Sequence, residues 1–387
     1  MLPAPWIHSS VRMSIQSSPL DSLRVLASSR ICVKIFFPLA LLTVLAPAVR
    51  AADFMIQADV GDRHVEGRPT HWSGDRVQMM LRDGQFLDFP AAEARNFRRT
   101  ADRFRPYSAG EMRTKLFAEF GPGFDVTGTG HYLVVHPKGQ KDRWASRFED
   151  LYRSFVHYFT VRGLRIREPE FPLVAVVWGN KQQYFSYAAT HGAQIGPHTV
   201  GYYSPATNRV HLYDSTAGQN GANGQQNADT IIHEVTHQTA FNTGVHTRFA
   251  GCPRWLAEGL GTLYEARGIH SSREFPNRAD RINRHRLADY KQFFPKEVDA
   301  DYLGQLISSD RAFDRNISQA YALSWALTFY LVETQPRRYA DYLTLTAARQ
   351  PGEPYPEARR LADFTRIFGD NFPMLAARLS RFMADVK

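Results

Sequence analysis

The chain has 387 residues, of which 43% are hydrophobic and 22% are charged. This composition excludes a fully disordered, a fibrous or a disulfide-scaffold protein and provides enough chain for two or three cores. The formal net charge of +9 falls to +5 without residues 1–51, which contain five basic residues and one acid. Such a mildly basic balance gives no reason to expect a nucleic-acid partner.

The first 51 residues have the pattern of a secretory signal. Arg30 and Lys34 precede an apolar run over 35–46, and the small residue Ala51 fits the end of a signal-peptidase site. The run contains proline and is shorter than the ~20 apolar residues of a spanning helix. We therefore predict a signal peptide over 1–51 with cleavage near Ala51, a secreted or periplasmic protein, and no stable membrane insertion after cleavage.

Residues 53–90 combine short alternating runs with turn residues, and they predict a small N-terminal β-meander domain. Asp83-Gly84 between two apolar runs indicates a hairpin turn. The region has no cluster of catalytic side chains, so we expect a packing or recognition role. The arginine-rich stretch over 95–105 has helical spacing and predicts a solvated helix face.

From Ser108, where Glu111 completes a capping box, helices and strands alternate and predict the main domain over 108–270. The predicted elements are a helix after Ser108, strands over 131–136, 173–178 and 209–213, and helices from Lys141 and over 181–191. Residues 216–226 are rich in Gly, Asn and Gln and predict a loop. The helical patterns that follow predict a C-terminal subdomain over 271–387 that completes the cleft.

The residues that carry chemistry follow this loop directly. Residues 230–237 contain H-E-x-x-H, and Asp229 stands where it would cap the start of the helix. His233 and His237 lie one helical turn apart on one face, so both imidazoles can bind one cation. Glu234 points toward the same side, where it can accept a proton from a metal-bound water.

A catalytic zinc takes three protein ligands and leaves one position open, so a third ligand is needed. The metzincin arrangement is excluded because Ala240 and Thr243 occupy the positions that it requires to be Gly and His. His246 is one candidate, but it lies in a turn where we expect a solvent-exposed side chain. Glu258 is the favoured candidate because it lies in a helix that Pro253 opens.

Cys252 is the only cysteine that remains after removal of residues 1–51, which excludes an internal disulfide. It stands six residues before Glu258. Two interpretations remain open, a thiol that ligates zinc and switches the enzyme or a small buried apolar side chain.

H-E-x-x-H followed by W-L-A-E-G over 255–259 resembles the gluzincin (peptidase MA-like) zinc metallopeptidases. Residues 108–289 are similar to a family of uncharacterised secreted bacterial proteins, DUF1570. The runs that carry the second resemblance are G-H-Y-L-V-V-H-P (130–137), R-F-E-D-L-Y (147–152), G-Y-Y-S-P (201–205) and N-A-D-T-I-I-H-E (227–234). The resemblance implies an α+β fold, with a zincin-like mixed sheet, an active-site helix and helices behind. It also implies an edge strand over 208–213 that borders the cleft.

The resemblance further implies a Zn²⁺ site of His233, His237 and Glu258, with Glu234 as the catalytic base. Tyr321 matches, in a loosely similar run, a tyrosine that stabilises the oxyanion in M1-type aminopeptidases. The Gly-Ala-Met-Glu-Asn motif of those enzymes is absent, which disfavours an exopeptidase. We therefore predict zinc-dependent endopeptidase action on secreted or extracellular protein or peptide substrates. The alternative is a secreted, non-catalytic binding protein that retains a zincin fold.

Overall fold

The computed structural model describes residues 53–214 and 224–387, apart from the side chains of 141–143 and 224–227. The predicted signal peptide lies outside these residues, as does most of the loop predicted over 216–226. Among the helices in the described ranges, none combines the length and the apolar character that a membrane crossing requires.

The N-terminal region is a five-stranded antiparallel sheet with the order β4-β3-β2-β1-β5, which confirms the predicted β-meander. Its strands are β1 (Met55–Val60), β2 (Arg63–Trp72), β3 (Arg76–Leu81), β4 (Phe86–Pro90) and β5 (Ala94–Ala101). The hairpin predicted at Asp83-Gly84 joins β3 to β4, and Gly84 has the positive φ of 83° that this turn needs. Apolar side chains from β1 to β4 form a small separate core.

The helix predicted over 95–105 is wrong, because most of this stretch forms the edge strand β5. β5 pairs with β1 through a register that includes Ile56 opposite Arg99. Backbone pairing with β1 decides the conformation here, and the exposed arginines suit the open edge of a sheet. The N-terminal sheet therefore extends beyond the predicted boundary at residue 90.

The main domain is built on a second five-stranded sheet with the order β6-β7-β8-β10-β9. Its strands are β6 (Phe124–Gly128), β7 (Tyr132–Pro137), β8 (Leu173–Trp178), β9 (Gly201–Ser204) and β10 (Arg209–Tyr213). β7, β8 and β10 run parallel, whereas β6 and β9 are antiparallel edge strands. The sheet is therefore mixed, as predicted.

The prediction of an edge strand over 208–213 is also wrong. β10 pairs with β8 on one side and with β9 on the other, so it lies inside the sheet. The chain reverses after β9 through a turn in which Asn208 has a φ of 60°, and this turn places β9 outermost. β9 is thus the edge strand next to β10, and it packs against α4.

Helices cover both faces of this sheet. They are α1 (Ala109–Phe120), α2 (Lys141–Thr160), α3 (Lys181–Thr190) and α4 (Gly224–Thr243). α1 and α3 pack on one face, and α2 and α4 pack on the other. Ser108 and Glu111 form the predicted capping box at α1. α4 begins at Gly224, so Asp229 lies inside this helix and does not cap its start.

The C-terminal region is helical, as predicted. Its helices are α5 (Arg254–Tyr264), α6 (Arg267–His270), α7 (Arg284–Phe293), α8 (Ala300–Ser308), α9 (Arg311–Arg315), α10 (Ile317–Thr334), α11 (Pro336–Ala347), α12 (Glu357–Phe368) and α13 (Phe372–Ala384). They share one apolar core in which α5 and α10 are central. α4 lies between this core and the second sheet, because Ile231 packs toward the sheet and Ile232 packs toward the helices.

Candidate metal centre

Helix α4 positions two histidines on the side that faces α5. His233 and His237 are one turn apart and 3% and 5% exposed, and their Nε2 atoms lie 3.0 Å from each other. On the opposite side of α4, Ile231 and Val235 are buried against the second sheet. This packing fixes the orientation of α4 about its own axis, so both imidazoles point away from the sheet.

Helix α5 brings a carboxylate to the same place. Glu258 is 1% exposed, and its Oε2 atom lies 3.2 Å from Nε2 of His233 and 3.6 Å from Nε2 of His237. Trp255, on the same helix, is completely buried in the C-terminal core and fixes the orientation of α5. Glu258 therefore reaches both histidines from a rigid element.

Two glycines allow α5 to approach its neighbours closely. A Cβ atom at position 259 would lie 2.6 Å from the backbone carbonyl oxygen of Ser324 on α10. A Cβ atom at position 261 would lie 2.7 Å from Cε1 of His233. Real Cβ atoms do not approach that closely, so Gly259 sets the spacing of α5 and α10, and Gly261 leaves room for the His233 ring.

We expect Gly261→Ala to weaken metal binding by about 10- to 100-fold, the range seen when the support of a ligand histidine is disturbed. The new methyl group would push the His233 ring away from Glu258. Gly304→Ala is the matched control, because a Cβ atom there meets nothing within 4 Å on α8. Chelator competition should show the loss in the first variant only. Equal affinities in both variants would show that the His233 ring adapts without cost.

His233, His237 and Glu258 form a candidate metal cluster in which one ligand atom from each lies within 4.8 Å of the others. Two imidazole nitrogens and one carboxylate oxygen are the donor set of open catalytic zinc sites. All three side chains are buried, so a cation between them would be held away from bulk water. The cluster is compatible with zinc.

The surroundings of His233 favour this use of the cluster. Its Nδ1 atom lies 2.8 Å from Oε1 of Glu265, and Asn283 donates a hydrogen bond of 2.6 Å to the other carboxylate oxygen of Glu265. A proton kept on Nδ1 by Glu265 leaves the Nε2 lone pair free to face Glu258 and His237. Converging acceptor atoms of this kind repel one another unless a proton or a metal cation lies between them.

The pKa values of His233 and Glu258 also indicate that a positive charge is stabilised between the cluster residues. Burial alone would lower the pKa of His233, but its hydrogen bonds to Glu258 and Glu265 outweigh burial and raise this pKa to about 10. Burial alone would raise the pKa of Glu258, but hydrogen bonds from His233 and His237 keep it well below its ordinary value. A divalent cation can therefore take the place of the proton that His233 retains without it.

Glu265 and Asn283 are parts of the site that sequence reasoning missed. Glu265 stands seven residues after Glu258, a spacing that returns to the same face of a helix after two turns. That spacing could have identified it. Asn283 gave no such signal, because it comes from the segment before α7 and meets Glu265 only in the folded chain.

Glu234 lies beside the cluster and makes a separate contact. It is 5% exposed, and its Oε2 atom accepts a hydrogen bond of 2.7 Å from the backbone N–H of Tyr203 in β9. Burial raises the pKa of Glu234 above its ordinary value. This contact links the residue predicted as the base to the edge strand of the second sheet.

Tyr321 lies on α10 near the same cluster. It is completely buried, and its ring centre is 6.5 Å from that of His233. Burial and the nearby charge of Glu258 raise the pKa of Tyr321 well above its ordinary value. All five residues predicted for the site thus lie close together.

The structure corrects the expectation for His246 and favours one of the two interpretations for Cys252. His246 follows α4 in a loop, but it is only 3% exposed and is not a member of the metal cluster. The C-terminal region packs on this loop, where the Gly352 N–H donates a hydrogen bond to the Phe249 carbonyl, and this contact explains why the loop is not solvent-exposed as expected. Cys252 packs against the core of the second sheet, and burial raises the pKa of its thiol, so the thiolate that would bind zinc is disfavoured.

Residues 227–353 match a family model described as a protein of unknown function, DUF1570. The match covers about a third of the chain and includes His233, Glu258 and Tyr321. No curated protein matches the chain. The mixed sheet, the H-E-x-x-H helix, the glutamate on the next helix and this family match support a zincin-like relationship.

Two solved structures similar to this chain are of a glutamate-to-alanine mutant of an M1 zinc metallopeptidase from Deinococcus radiodurans. The first, with a bound Tyr-Ser-Ala substrate, has 12% identity, a TM-score of 0.36, and an alignment over 69% of this chain and 51% of its own. The second has 13% identity, a TM-score of 0.37, and coverage of 69% and 52%. The chain therefore spans about half the length of these structures.

Proposed function

We propose that this protein is a zinc-dependent endopeptidase of the gluzincin class that cleaves protein or peptide substrates in the periplasm or outside the cell. The observation that carries the proposal is the buried cluster of His233, His237 and Glu258 beside a second, separate carboxylate, Glu234. A structural zinc site closes its fourth position with a protein ligand and has no use for a neighbouring base.

The proposed reaction assigns different tasks to the two carboxylates. Zinc, when bound by the cluster, supplies Lewis-acid polarisation of the scissile carbonyl and makes water more acidic. Glu234 is anchored at Oε2 by the Tyr203 N–H, which leaves its other oxygen to take the water proton and deliver it to the leaving amine. Its burial raises its pKa and so strengthens it as a base.

The edge strand β9 is the proposed platform for an extended substrate. Its outer edge is unpaired within the described sheet, and an added peptide strand would bond to its backbone. Tyr203 belongs to this strand and contacts Glu234 directly. A peptide bound along β9 would therefore pass close to the proposed base.

Metal analysis and a protease assay test the proposal together. The purified mature chain, never exposed to chelator, should contain one zinc per molecule and should cleave casein. Removal of the metal should stop cleavage, and added Zn²⁺ should restore it. Protein without stoichiometric zinc would overturn the proposal. Zinc without cleavage of casein or of peptide libraries would favour the non-catalytic binding protein.

We expect Tyr321→Phe to lower kcat by about 10²- to 10³-fold with little change in KM, as when an oxyanion donor is removed. Phenylalanine preserves the buried ring and removes only the hydroxyl near Glu258. Tyr342→Phe is the matched control, because Tyr342 is also fully buried and its own hydroxyl is unbonded among the described residues. Its variant should keep the parent kcat. An unchanged kcat in Tyr321→Phe would make Tyr321 a core residue.

A further inference from the structure

A cavity of about 500 Å³ lies next to the candidate metal centre but does not include its three ligand residues. It begins at Phe241 and Asn242, one turn beyond His237 on α4. The segment before β8 and the loop after α11 close its other sides. This volume is within the range of small-molecule sites, which is about 300 to 1,000 Å³.

Positive charge dominates the cavity wall. Arg167, Arg248 and Arg349 line it, together with Glu168 and Glu170. The two acids are paired with groups outside the cavity lining. Glu170 accepts a hydrogen bond of 2.9 Å from Arg68, and Glu168 lies 3.3 Å from Nε2 of His131. Because both glutamates are paired in this way, a ligand in the cavity would meet mainly the positive charge of the three arginines.

The contacts of the arginines leave much of their charge uncompensated. Arg248 donates to the backbone carbonyls of Gly84 and Pro205, at 2.8 and 2.7 Å, which are neutral partners. The side chain of Arg349 is 6% exposed, and its Nη2 atom donates to the backbone carbonyls of Glu353 and Pro354 at 2.9 and 2.8 Å, while the Glu353 carboxylate lies 3.8 Å away. Buried cations with such partners attract anions strongly, because little water screens them.

Two of the buried side chains in the wall also have polar atoms without partners. Among the described residues, neither ring nitrogen of His246 has a hydrogen bond, and Nε and Nη1 of Arg349 have none. Both side chains are more than nine-tenths buried. Unsatisfied buried donors are costly, so native proteins pair them with water or with a ligand. Burial lowers the pKa of His246 to about 3, so its ring is neutral and offers one donor and one acceptor.

We propose that this cavity is a binding site for a small molecule or peptide group that carries an oxyanion, a carboxylate or a phosphate. Arg349 and Arg167 supply guanidinium donors, which match the planar geometry of such groups. His246 supplies a neutral hydrogen bond, and Arg248 adds positive charge to the cavity wall. The same wall repels metal ions, so the cavity is not a second metal site. The proposal does not depend on peptidase activity.

Titration of the full mature chain with glutarate, with inorganic phosphate and with the neutral analogue glutaramide tests the proposal. We expect one equivalent of at least one anion to bind by calorimetry, and no binding of glutaramide. The ring signals of His246, assigned in NMR spectra with His246→Asn, should shift on binding. Tighter binding of glutarate would identify a carboxylate ligand, and tighter binding of phosphate would identify a phosphate ligand.

Arg167→Gln is the variant that localises the site, because Arg167 is exposed and its replacement leaves the core intact. We expect it to raise the Kd by roughly tenfold, the loss of one charge-assisted contact. Arg165→Gln is the matched control, since Arg165 is an exposed arginine two residues away that does not line the cavity. Absence of saturable binding, or equal Kd values in both variants and the parent, would overturn the proposal.

Discussion

Glu234→Gln should bind zinc and fold like the parent but lose nearly all peptide hydrolysis, by about 10²- to 10⁴-fold or more in kcat. Glutamine cannot take a proton from water, so the loss of the base accounts for the effect. Its side-chain carbonyl can still accept the hydrogen bond that the Tyr203 N–H donates to Glu234. The position of β9 should therefore be unchanged, and a change in KM should be small.

Three measurements separate the explanations for this variant. Zinc content and thermal unfolding should equal those of the parent, while casein cleavage should fall to the level of metal-free protein. Cleavage at the parent rate would show that Glu234 is not the base. Loss of zinc would show that Glu234 is a ligand and that the cluster of three must be redrawn.

Glu258→Gln should weaken zinc binding at least about 100-fold and abolish activity, because a direct ligand contributes more than its supporting partners. The change removes the carboxylate charge that lies 3.2 Å from Nε2 of His233 and 3.6 Å from Nε2 of His237. The volume of the side chain is nearly preserved, so the effect should come from charge. Competition with a chelator measures the affinity directly.

Two control variants make this result specific. Glu149→Gln changes another buried glutamate that is paired with a histidine, His131, outside the candidate metal centre. It should keep the parent zinc affinity even if it is less stable. His246→Asn should also keep its zinc, because His246 is not part of the cluster. Loss of zinc in His246→Asn, with retention in Glu258→Gln, would exclude the gluzincin arrangement.

The parts of the site that depend on local geometry could be predicted from the sequence. His233, Glu234 and His237 lie within one turn of one helix, so their spacing alone places them together. Glu258 could be proposed because Pro253 and the apolar residues around it predict a short buried helix. Contacts between distant segments could not be predicted in this way. The hydrogen bond from Tyr203 to Glu234 and the hydrogen bond from Asn283 to Glu265 are of this kind.

The errors in the predicted fold also arise from contacts between distant segments of the chain. β10 was expected at the sheet edge, but the order of strands is set by backbone pairing across the sheet, which residue patterns along one strand do not encode. The arginines of β5 fit a helix face as well as a strand edge, and pairing with β1 decides between them. His246 is buried because a distant part of the chain covers its loop, and its local turn residues contain no sign of that cover.

The close approach of α5 and α10 at Gly259 restricts how these two helices can move relative to each other. Backbone contact over this distance leaves no side-chain layer in which one helix can slide over the other. The two helices that carry Glu258 and Tyr321 should therefore move as one rigid body. For the proposed polypeptide substrate, we therefore expect the opening motion to take place between this rigid body and strand β9.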